Sequence, residues 1–259
     1  MAVALTSDLQ GPDHPGPTVH VQKKIKLVMY PGESTNASGT TLGHIYVVGG
    51  NGESYEIAAG PPAGFADRGG HSAIPTPAGK YVLGPKHHHV TPGWPASTVP
   101  WGADLRTDTN GEVEFSPDGG KSWRKATGMN GATTQASIRF LEKDWKRPLT
   151  EDEKQQVNAQ ARGLFYDDTG KLQTPYRGND FGNWAWNLTR GGAVTPYYLH
   201  TTPPDEAASA AGQPVSLVNS HGCVHIRPAD RDEMMQKGYL RKGVEIEVKP
   251  YGQKGPPKP

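Results

Sequence analysis

The stretch LGHIYVVGGNGESYEIA, residues 42–58, decides the fold class. Its apolar residues come in two short bursts, at 42–48 and 53–58, on either side of Gly49-Gly50-Asn51-Gly52. Short apolar runs separated by a glycine-rich turn are typical of two paired β-strands. The stretch therefore predicts the first part of a sheet made of short strands.

Further strands are predicted on both sides of this pair. Before it, Ile25, Leu27 and Met29 alternate with their neighbours, and the strand is expected to stop at Tyr30-Pro31-Gly32. After it, a proline-rich turn leads into a strand at 80–84. Three more strands are expected near the end of the chain, at residues 196–200, 214–218 and 244–248.

The middle of the chain differs in character. Residues 110–124, with Ser116-Pro117-Asp118-Gly119-Gly120 at their centre, predict a surface hairpin. Thr150-Glu151-Asp152-Glu153 has the form of a capping box, which predicts a helix near 150–163. A second short helix is expected from Pro228 to Gly238, with proline in its first turn and glycine at its end.

Composition excludes several classes of protein. The 259 residues include 33 glycines and 24 prolines, well above average usage, which favours an all-β protein with minor α content. The formal net charge is +1, so no basic excess is present to hold nucleic acid. No apolar run is long enough for a transmembrane segment, and the first residues do not form a secretory signal.

The chemistry is expected in Asn219-Ser220-His221-Gly222-Cys223-Val224-His225, which holds the only cysteine. A nucleophilic cysteine needs a nearby base and backbone amides that face the developing oxyanion. His200, His221 and His225 are the candidate bases, while a buried structural thiol is the alternative. Because His225 is the only histidine after Cys223, an arrangement with the histidine before the cysteine, at His200, fits best.

No metal site and no cofactor are predicted. His87-His88-His89 are three adjacent histidines in a loop bounded by glycine and proline. Adjacent histidines lack the spacing that structural or catalytic zinc sites use.

The quoted residues resemble the L,D-transpeptidase (YkuD) catalytic domain. Ser220-His221-Gly222-Cys223 matches its S/T-H-G-C core, and Tyr197 to Thr201 supplies the preceding histidine. Weaker matches are found at three other places, namely residues 75–81, residues 99–102 and the closing helix and strand at 230–246. The resemblance implies a mixed-sheet β-sandwich over residues 25–251. The polar, proline-broken start of the chain predicts an N-terminal arm (1–24), and residues 252–259 are expected to be a disordered tail.

The resemblance also implies the reaction. Cys223 would be the nucleophile, His200 the base that forms its ion pair, and Thr201 the residue that orients the base, while His221 and Gly222 would shape the oxyanion site. The family forms a thioester with a peptidoglycan tetrapeptide stem, releases D-alanine and passes the acyl group to an amine. The residues expected to bind substrate are Ser220, His225, Arg227 and Trp101.

Two features depart from the family pattern. The interval from His200 to Ser220 is longer than usual, and His225 stands where asparagine or arginine is usual. About ninety residues separate Trp101 from His200, which predicts an inserted loop and helix region at 106–190 that caps the cleft.

Two other functions remain open at this point. The same site with water as acceptor would make an L,D-carboxypeptidase, as in an exported antibacterial effector. A catalytically silent wall-binding module is the other possibility, and it would be favoured by a thiol whose pKa is not depressed. The resemblance implies a place in the periplasm or cell envelope.

Overall fold

A computed structural model describes residues 24–62, 74–91, 95–111, 113–126, 138–139, 141–143, 145–167 and 169–256. The strands are β1 (Lys26–Thr35), β2 (Thr41–Val48), β3 (Ser54–Ala58), β4 (Gly79–His87), β5 (Asp104–Thr107), β6 (Val113–Ser116), β7 (Arg124–Lys125), β8 (Ala185–Arg190), β9 (Ala193–His200), β10 (Val224–Ile226) and β11 (Glu245–Val248). The helices are α1 (Glu151–Gly163), α2 (Pro203–Ala210) and α3 (Pro228–Gln236), with a 3₁₀ turn at Pro95–Thr98.

Eight strands form one mixed sheet that closes on itself in the order β1-β11-β4-β8-β9-β10-β3-β2. The pairs β1/β11 and β9/β10 are parallel, and the other pairs are antiparallel. The expected all-β fold with a mixed sheet is confirmed, and the predicted sandwich takes the form of a closed barrel. Closure places the inward-facing side chains of all eight strands around one core.

The core follows from the alternation seen in the sequence. Leu27 and Met29 of β1 face inward opposite Val47 and Ile45 of β2, and all four are at most 5% exposed. Trp186 of β8 is fully buried, and its indole nitrogen donates to the Leu240 carbonyl oxygen at 3.2 Å. A satisfied donor allows this large ring to sit in the core without an unpaired polar group.

The first strand does not stop at Tyr30-Pro31-Gly32, so that expectation was wrong. β1 continues to Thr35 through a shift of register between Tyr30 and Ser34. Two facts make this possible. The pairing of β1 with β11 ends at Met29, so the missing N–H of Pro31 is not needed there, and Gly32 takes a φ of +74°, which accommodates the bulge.

The expected strand at 214–218 is also absent, since those residues carry no regular structure. β9 and β10 are direct parallel neighbours, so the chain between them must cross over and cannot insert another strand. Part of the crossover is α2, which the sequence analysis missed. Its signal is nevertheless present, since Thr202 accepts a hydrogen bond from the Asp205 amide at 3.4 Å and prolines follow in the first turn.

A second, smaller core lies outside the barrel. Strands β5, β6 and β7 form a three-stranded antiparallel sheet, which confirms the predicted hairpin over 110–124. Thr150 and Glu153 form the predicted capping box, with each backbone amide donating to the side chain of the other residue. Residues buried together here are Val99, Ala103, Leu105, Val113, Phe115, Ala126, Phe165 and Tyr176.

β8 lies inside the range 106–190 that the sequence analysis assigned to an insertion, yet it pairs with β4 and β9 in the barrel. The part of that range that stands outside the barrel therefore ends before Ala185. Of the expected tail, the Gly255 amide donates to Glu33 at 2.7 Å, whereas residues 257–259, like most of the N-terminal arm, lie outside the described residues. None of the described helices has the length and apolar character needed to cross a membrane.

Candidate active site

The register of β9 and β10 brings the predicted nucleophile and base together. His225 lies opposite His200, and Val224 lies opposite Leu199. Because alternate residues of a strand share a face, Tyr198 and His200 of β9 point to the same side as Cys223 and His225. All four line a cavity of about 870 Å³.

The cavity wall is mostly uncharged. Among the described lining residues, Asp180 is the one acidic residue and none is a lysine or an arginine. The wall is formed by His89, Thr91, Gly178, Asp180, Phe181, Pro196, Tyr198, His200, Thr202, Pro203, Pro204, Val218, Asn219, Ser220, His221, Cys223 and His225.

The Ser220-His221-Gly222-Cys223 turn is fixed by hydrogen bonds to its own backbone and to the segment around Thr76. The Ser220 hydroxyl donates to the Cys223 carbonyl oxygen. The Thr76 hydroxyl, which is buried, lies 3.0 Å from the Gly222 carbonyl oxygen and accepts from the Gly60 amide at 3.1 Å. Thr76 belongs to the proline-rich segment that the sequence analysis matched to the family, so this segment supports the turn before the thiol.

Gly222 is needed in this turn for two reasons. Its φ is +102°, which side-chain-bearing residues rarely adopt, and a Cβ atom there would lie 2.8 Å from a ring carbon of Tyr197. Gly222 is buried but does not line the cavity, whereas the exposed His221 does.

Cys223 is half-buried in the cavity wall. Its Sγ lies 3.9 Å from the Pro196 carbonyl oxygen. Burial raises the pKa of the thiol to about 11, and the Tyr198 backbone N–H opposes this only in part. Loss of hydration disfavours the thiolate more than the neutral thiol. The unliganded protein therefore holds Cys223 as a thiol at neutral pH.

His200 is held in one tautomer. Its Nδ1 lies 2.7 Å from the Thr201 carbonyl oxygen, which only accepts, so Nδ1 carries the proton and Nε2 is left to act as a base. Burial lowers the pKa of His200 well below its ordinary value, the neighbouring His225 lowers it further, and the Thr201 carbonyl acts in the opposite direction. The site thus contains a neutral imidazole beside a neutral thiol, not the resting ion pair that the resemblance implies.

His225 is also held in one tautomer by a backbone carbonyl. Its Nδ1 donates to the Val218 carbonyl oxygen at 2.8 Å, and its ring centroid lies 4.7 Å from that of His200. Burial lowers the pKa of His225 to about 4, with the Val218 carbonyl opposing and His221 adding to the shift. The residue that replaces the family's usual asparagine or arginine is therefore an uncharged group in the cavity wall.

The structure does not bring two of the predicted substrate-binding residues to the cavity. Arg227 forms an ion pair with Glu56 and lies 3.8 Å from Asp230, at the start of α3. Trp101 is buried and is not a lining residue. Thr201 is fully buried behind His200, where its carbonyl contacts the ring.

Many of the lining residues, His89 and Phe181 among them, were not selected from the sequence for this site. His89 stacks on Phe181 with ring centroids 3.6 Å apart and meets Tyr198 edge-on at 4.8 Å. Phe181 also packs against the His200 ring at 4.5 Å. His89 was noted only as one of three adjacent histidines. Among the described residues, no group of three or more His, Cys, Asp or Glu side chains is arranged to hold a metal ion.

A scan against protein families matches residues 36–246 to the YkuD L,D-transpeptidase catalytic domain. The match covers most of the 259 residues and includes Thr76, His200 and the whole Ser220 to Cys223 turn. This chain belongs to the YkuD family. No curated protein matches the chain.

Membership of the YkuD family gives the coarse function. The domain is an L,D-transpeptidase-type enzyme domain that acts on peptidoglycan, which lies outside the cytoplasm. The YkuD match includes most of the barrel strands and the smaller core, since β5, β6, β7 and α1 all lie between residues 36 and 246.

Proposed function

We propose that this YkuD protein is a cysteine acyltransferase that uses peptidoglycan tetrapeptide stems as acyl donors. The observation that carries the proposal is that Cys223 and His200 line the same cavity and that the Nδ1 proton of His200 is held by the Thr201 carbonyl oxygen. A thiol and an oriented base in one cavity are parts that nucleophilic acyl transfer needs.

The first half-reaction forms a thioester. The Cys223 sulfur attacks the carbonyl carbon of the third stem residue, and its proton passes to Nε2 of His200. The C–N bond to the terminal D-alanine then breaks, and the imidazolium returns the proton to the leaving amine. Because both groups are neutral beforehand, charge forms only during the attack, and the buried His200 loses its proton readily afterwards.

The second half-reaction transfers the acyl group. An acceptor amine attacks the thioester and gives up a proton to His200, and the Cys223 thiol is regenerated. Water in place of the amine gives a tripeptide and makes the protein an L,D-carboxypeptidase. The proposed location of the protein is the periplasm or cell envelope, where these stems occur.

Binding of the stem is proposed to differ from the arrangement expected from the sequence. Arg227 is engaged by Glu56 and lies away from the cavity, so it is not proposed to hold a stem carboxylate. Ser220, His221 and His225 line the cavity and are proposed to contact the stem. His225 serves as a neutral hydrogen-bonding group, because burial keeps it uncharged at pH 7.

A catalytically silent wall-binding module is the second candidate function. The thiol pKa of about 11 favours it, since most nucleophilic cysteines have depressed values. An alkylation titration of the unliganded protein is therefore expected to give a high thiol pKa under either function. Products, not thiol reactivity, must separate the two.

The experiment is incubation of defined disaccharide-tetrapeptide fragments with the protein, followed by mass spectrometry of the fragments. Wild-type protein is expected to give cross-linked dimers and free D-alanine, and Cys223→Ala to give neither. Tripeptides without dimers would replace the transpeptidase by the carboxypeptidase. Unchanged fragments, together with binding of both proteins to isolated peptidoglycan, would establish the silent module instead.

A further inference from the structure

A buried polar network lies directly behind His200. Glu206 of α2 accepts three hydrogen bonds at one oxygen, Oε1. The donors are the Thr201 hydroxyl at 2.6 Å, the Asn183 backbone amide at 3.2 Å and the guanidinium of Arg231. Thr201 is fully buried and Arg231 of α3 is only 3% exposed. Glu206 is 12% exposed and Arg231 also pairs with the exposed Asp232, so the network is largely, not fully, shielded from solvent.

We propose that Glu206, held in place by Arg231, is a positioning residue that sets the orientation and tautomer of His200. This inference rests on the proposed function for its kinetic consequence, but its structural part concerns the unliganded protein alone. Glu206 does not line the cavity, so it acts through Thr201 and through the loop that contains Asn183.

The first connection runs through Thr201. The carbonyl of Thr201 accepts the Nδ1 proton of His200 at 2.7 Å, while the hydroxyl of the same residue donates to Glu206. Fixing the side chain of Thr201 fixes the residue that bears the carbonyl. Gly182 packs so closely on the other side that a Cβ atom there would lie 2.1 Å from the Thr201 hydroxyl oxygen. Thr201 is thus confined between Gly182 and Glu206.

The second connection runs through the loop at residues 179–183. The Asn183 amide donates to the same Glu206 oxygen, and Phe181, two residues earlier, packs on the His200 ring with centroids 4.5 Å apart. One carboxylate therefore holds both the hydrogen-bond acceptor of His200 and the aromatic ring that covers it.

Stability alone does not explain the Glu206–Arg231 ion pair. Removing two charges from water costs several kcal/mol per ion, and buried ion pairs are often replaced by apolar residues without loss of stability. Glu206 also lies in the interval between His200 and Ser220 that is longer than the family pattern.

The test compares two variants with one control. Thr201→Val removes the hydroxyl that links Glu206 to the base and leaves the Glu206–Arg231 ion pair intact. The double variant Glu206→Leu with Arg231→Met removes the ion pair without leaving a lone buried charge. Glu233→Gln is the control, because Glu233 also accepts from a tyrosine hydroxyl (Tyr55) and a cation (Lys237) but does not contact the network.

The first readout is the ¹⁵N NMR spectrum of the histidine side chains, with the His200 signals assigned from His200→Ala. Wild type and Glu233→Gln are expected to show His200 with the proton only on Nδ1, whereas both network variants show a mixture of tautomers. A purely structural role would lower the melting temperature without changing the tautomer. This readout needs no peptidoglycan, so it separates failure of the inference from failure of the proposed function.

The second readout is steady-state turnover of tetrapeptide donors. Loss of orientation is expected to lower kcat by about 10²-fold in the network variants with KM unchanged, since a small displacement of a catalytic group has this effect. If the double variant does not fold, Thr201→Val carries the test by itself. An unchanged His200 tautomer in every folded network variant overturns the inference.

Discussion

Gly222 determines the shape of the turn that presents Cys223. Its φ of +102° and the 2.8 Å approach to Tyr197 leave no room for a side chain. We expect Gly222→Ala to lower the free energy of unfolding by roughly 1–3 kcal/mol, the usual cost of holding such a backbone conformation. We also expect kcat for tetrapeptide donors to fall by about 10²-fold, because the thiol is displaced. Chemical denaturation and product assays measure the two effects.

Gly243→Ala is the control for this substitution. Gly243 has a similar φ of +91° but has open space where a Cβ atom would lie. It should lose stability from its backbone conformation and keep full turnover. Equal losses of turnover in both variants would show that the crowding at Gly222 has no part in presenting Cys223.

His89 links stability to pH. Its buried Nδ1 has no hydrogen-bond partner among the described residues, and burial, reinforced by His87, lowers its pKa to about 4 from 6.5. Between these pH values the unfolded chain binds a proton that the folded protein does not, so stability falls as the pH drops from 6.5 to 4. His88, His200 and His225 have lowered pKa values for the same first reason and act in the same direction.

His89→Phe should remove one part of this pH dependence while keeping the ring stacked on Phe181. At pH 5, we expect the substitution to raise the free energy of unfolding by about 2 kcal/mol more than it does at pH 8. Each unit of pKa shift corresponds to about 1.4 kcal/mol. Denaturation curves at the two pH values measure it. His87→Phe, which removes only the neighbour that reinforces the shift of His89, should give a smaller difference between the two pH values. An equal effect of His89→Phe at both pH values would contradict the account.

At the residue scale, the predicted nucleophile and base both line the cavity, whereas two of the four expected substrate contacts do not. Cys223 and His200 could be selected because a nucleophile and a preceding histidine are visible in the chain order. The pKa of Cys223 could not be predicted, because it depends on burial. Arg227 was expected to bind substrate but instead pairs with Glu56, which could not be foreseen because Glu56 is 171 residues away in the sequence.

The loop at residues 179–183 joins the smaller core to the barrel through Asn179, which is fully buried. Its amide nitrogen donates to the carbonyl oxygens of His89 and Val99 at 2.8 Å each, and its oxygen accepts from the Phe181 amide. Asn179→Ala leaves both carbonyls unpaired, and we expect a loss of roughly 2–4 kcal/mol of stability, given the cost of an unsatisfied buried group. Chemical denaturation measures the loss.

Asn36→Ala is the matched control, since Asn36 bonds only to amides of its own turn, at Ser38 and Thr40. Its loss should be clearly smaller. Similar losses in the two variants would mean that Asn179 does not join the two parts of the molecule more strongly than an ordinary turn residue.

At the element scale, local signals predicted what local forces determine. The capping box at Thr150 and the hairpin around Ser116 are both satisfied by nearby residues, and both were predicted correctly. The strand expected at 214–218 failed because the parallel pairing of β9 with β10 decides that region. The extension of β1 past Pro31 likewise depends on where β11 stops pairing.

At the scale of the whole molecule, the smaller core is proposed to restrict which stems enter the cavity. The two ends of the segment 104–175 lie side by side, since the Tyr176 amide donates to the Ala103 carbonyl oxygen at 2.8 Å. This contact permits replacement of residues 104–175 by a short glycine linker. The shortened protein is expected to keep turnover on simple tetrapeptides and to accept a wider range of stems, as measured with a panel of fragments. An unchanged substrate range would remove this role.

The central proposal is that Cys223 carries the acyl group of a peptidoglycan stem. Intact-protein mass spectrometry after brief mixing with a tetrapeptide donor and no acceptor amine tests it most directly. We predict an adduct with the mass of the donor minus D-alanine, located on Cys223, absent from Cys223→Ala and depleted in His200→Ala. Release of D-alanine without any adduct on Cys223, or with Cys223→Ala still active, would contradict the account.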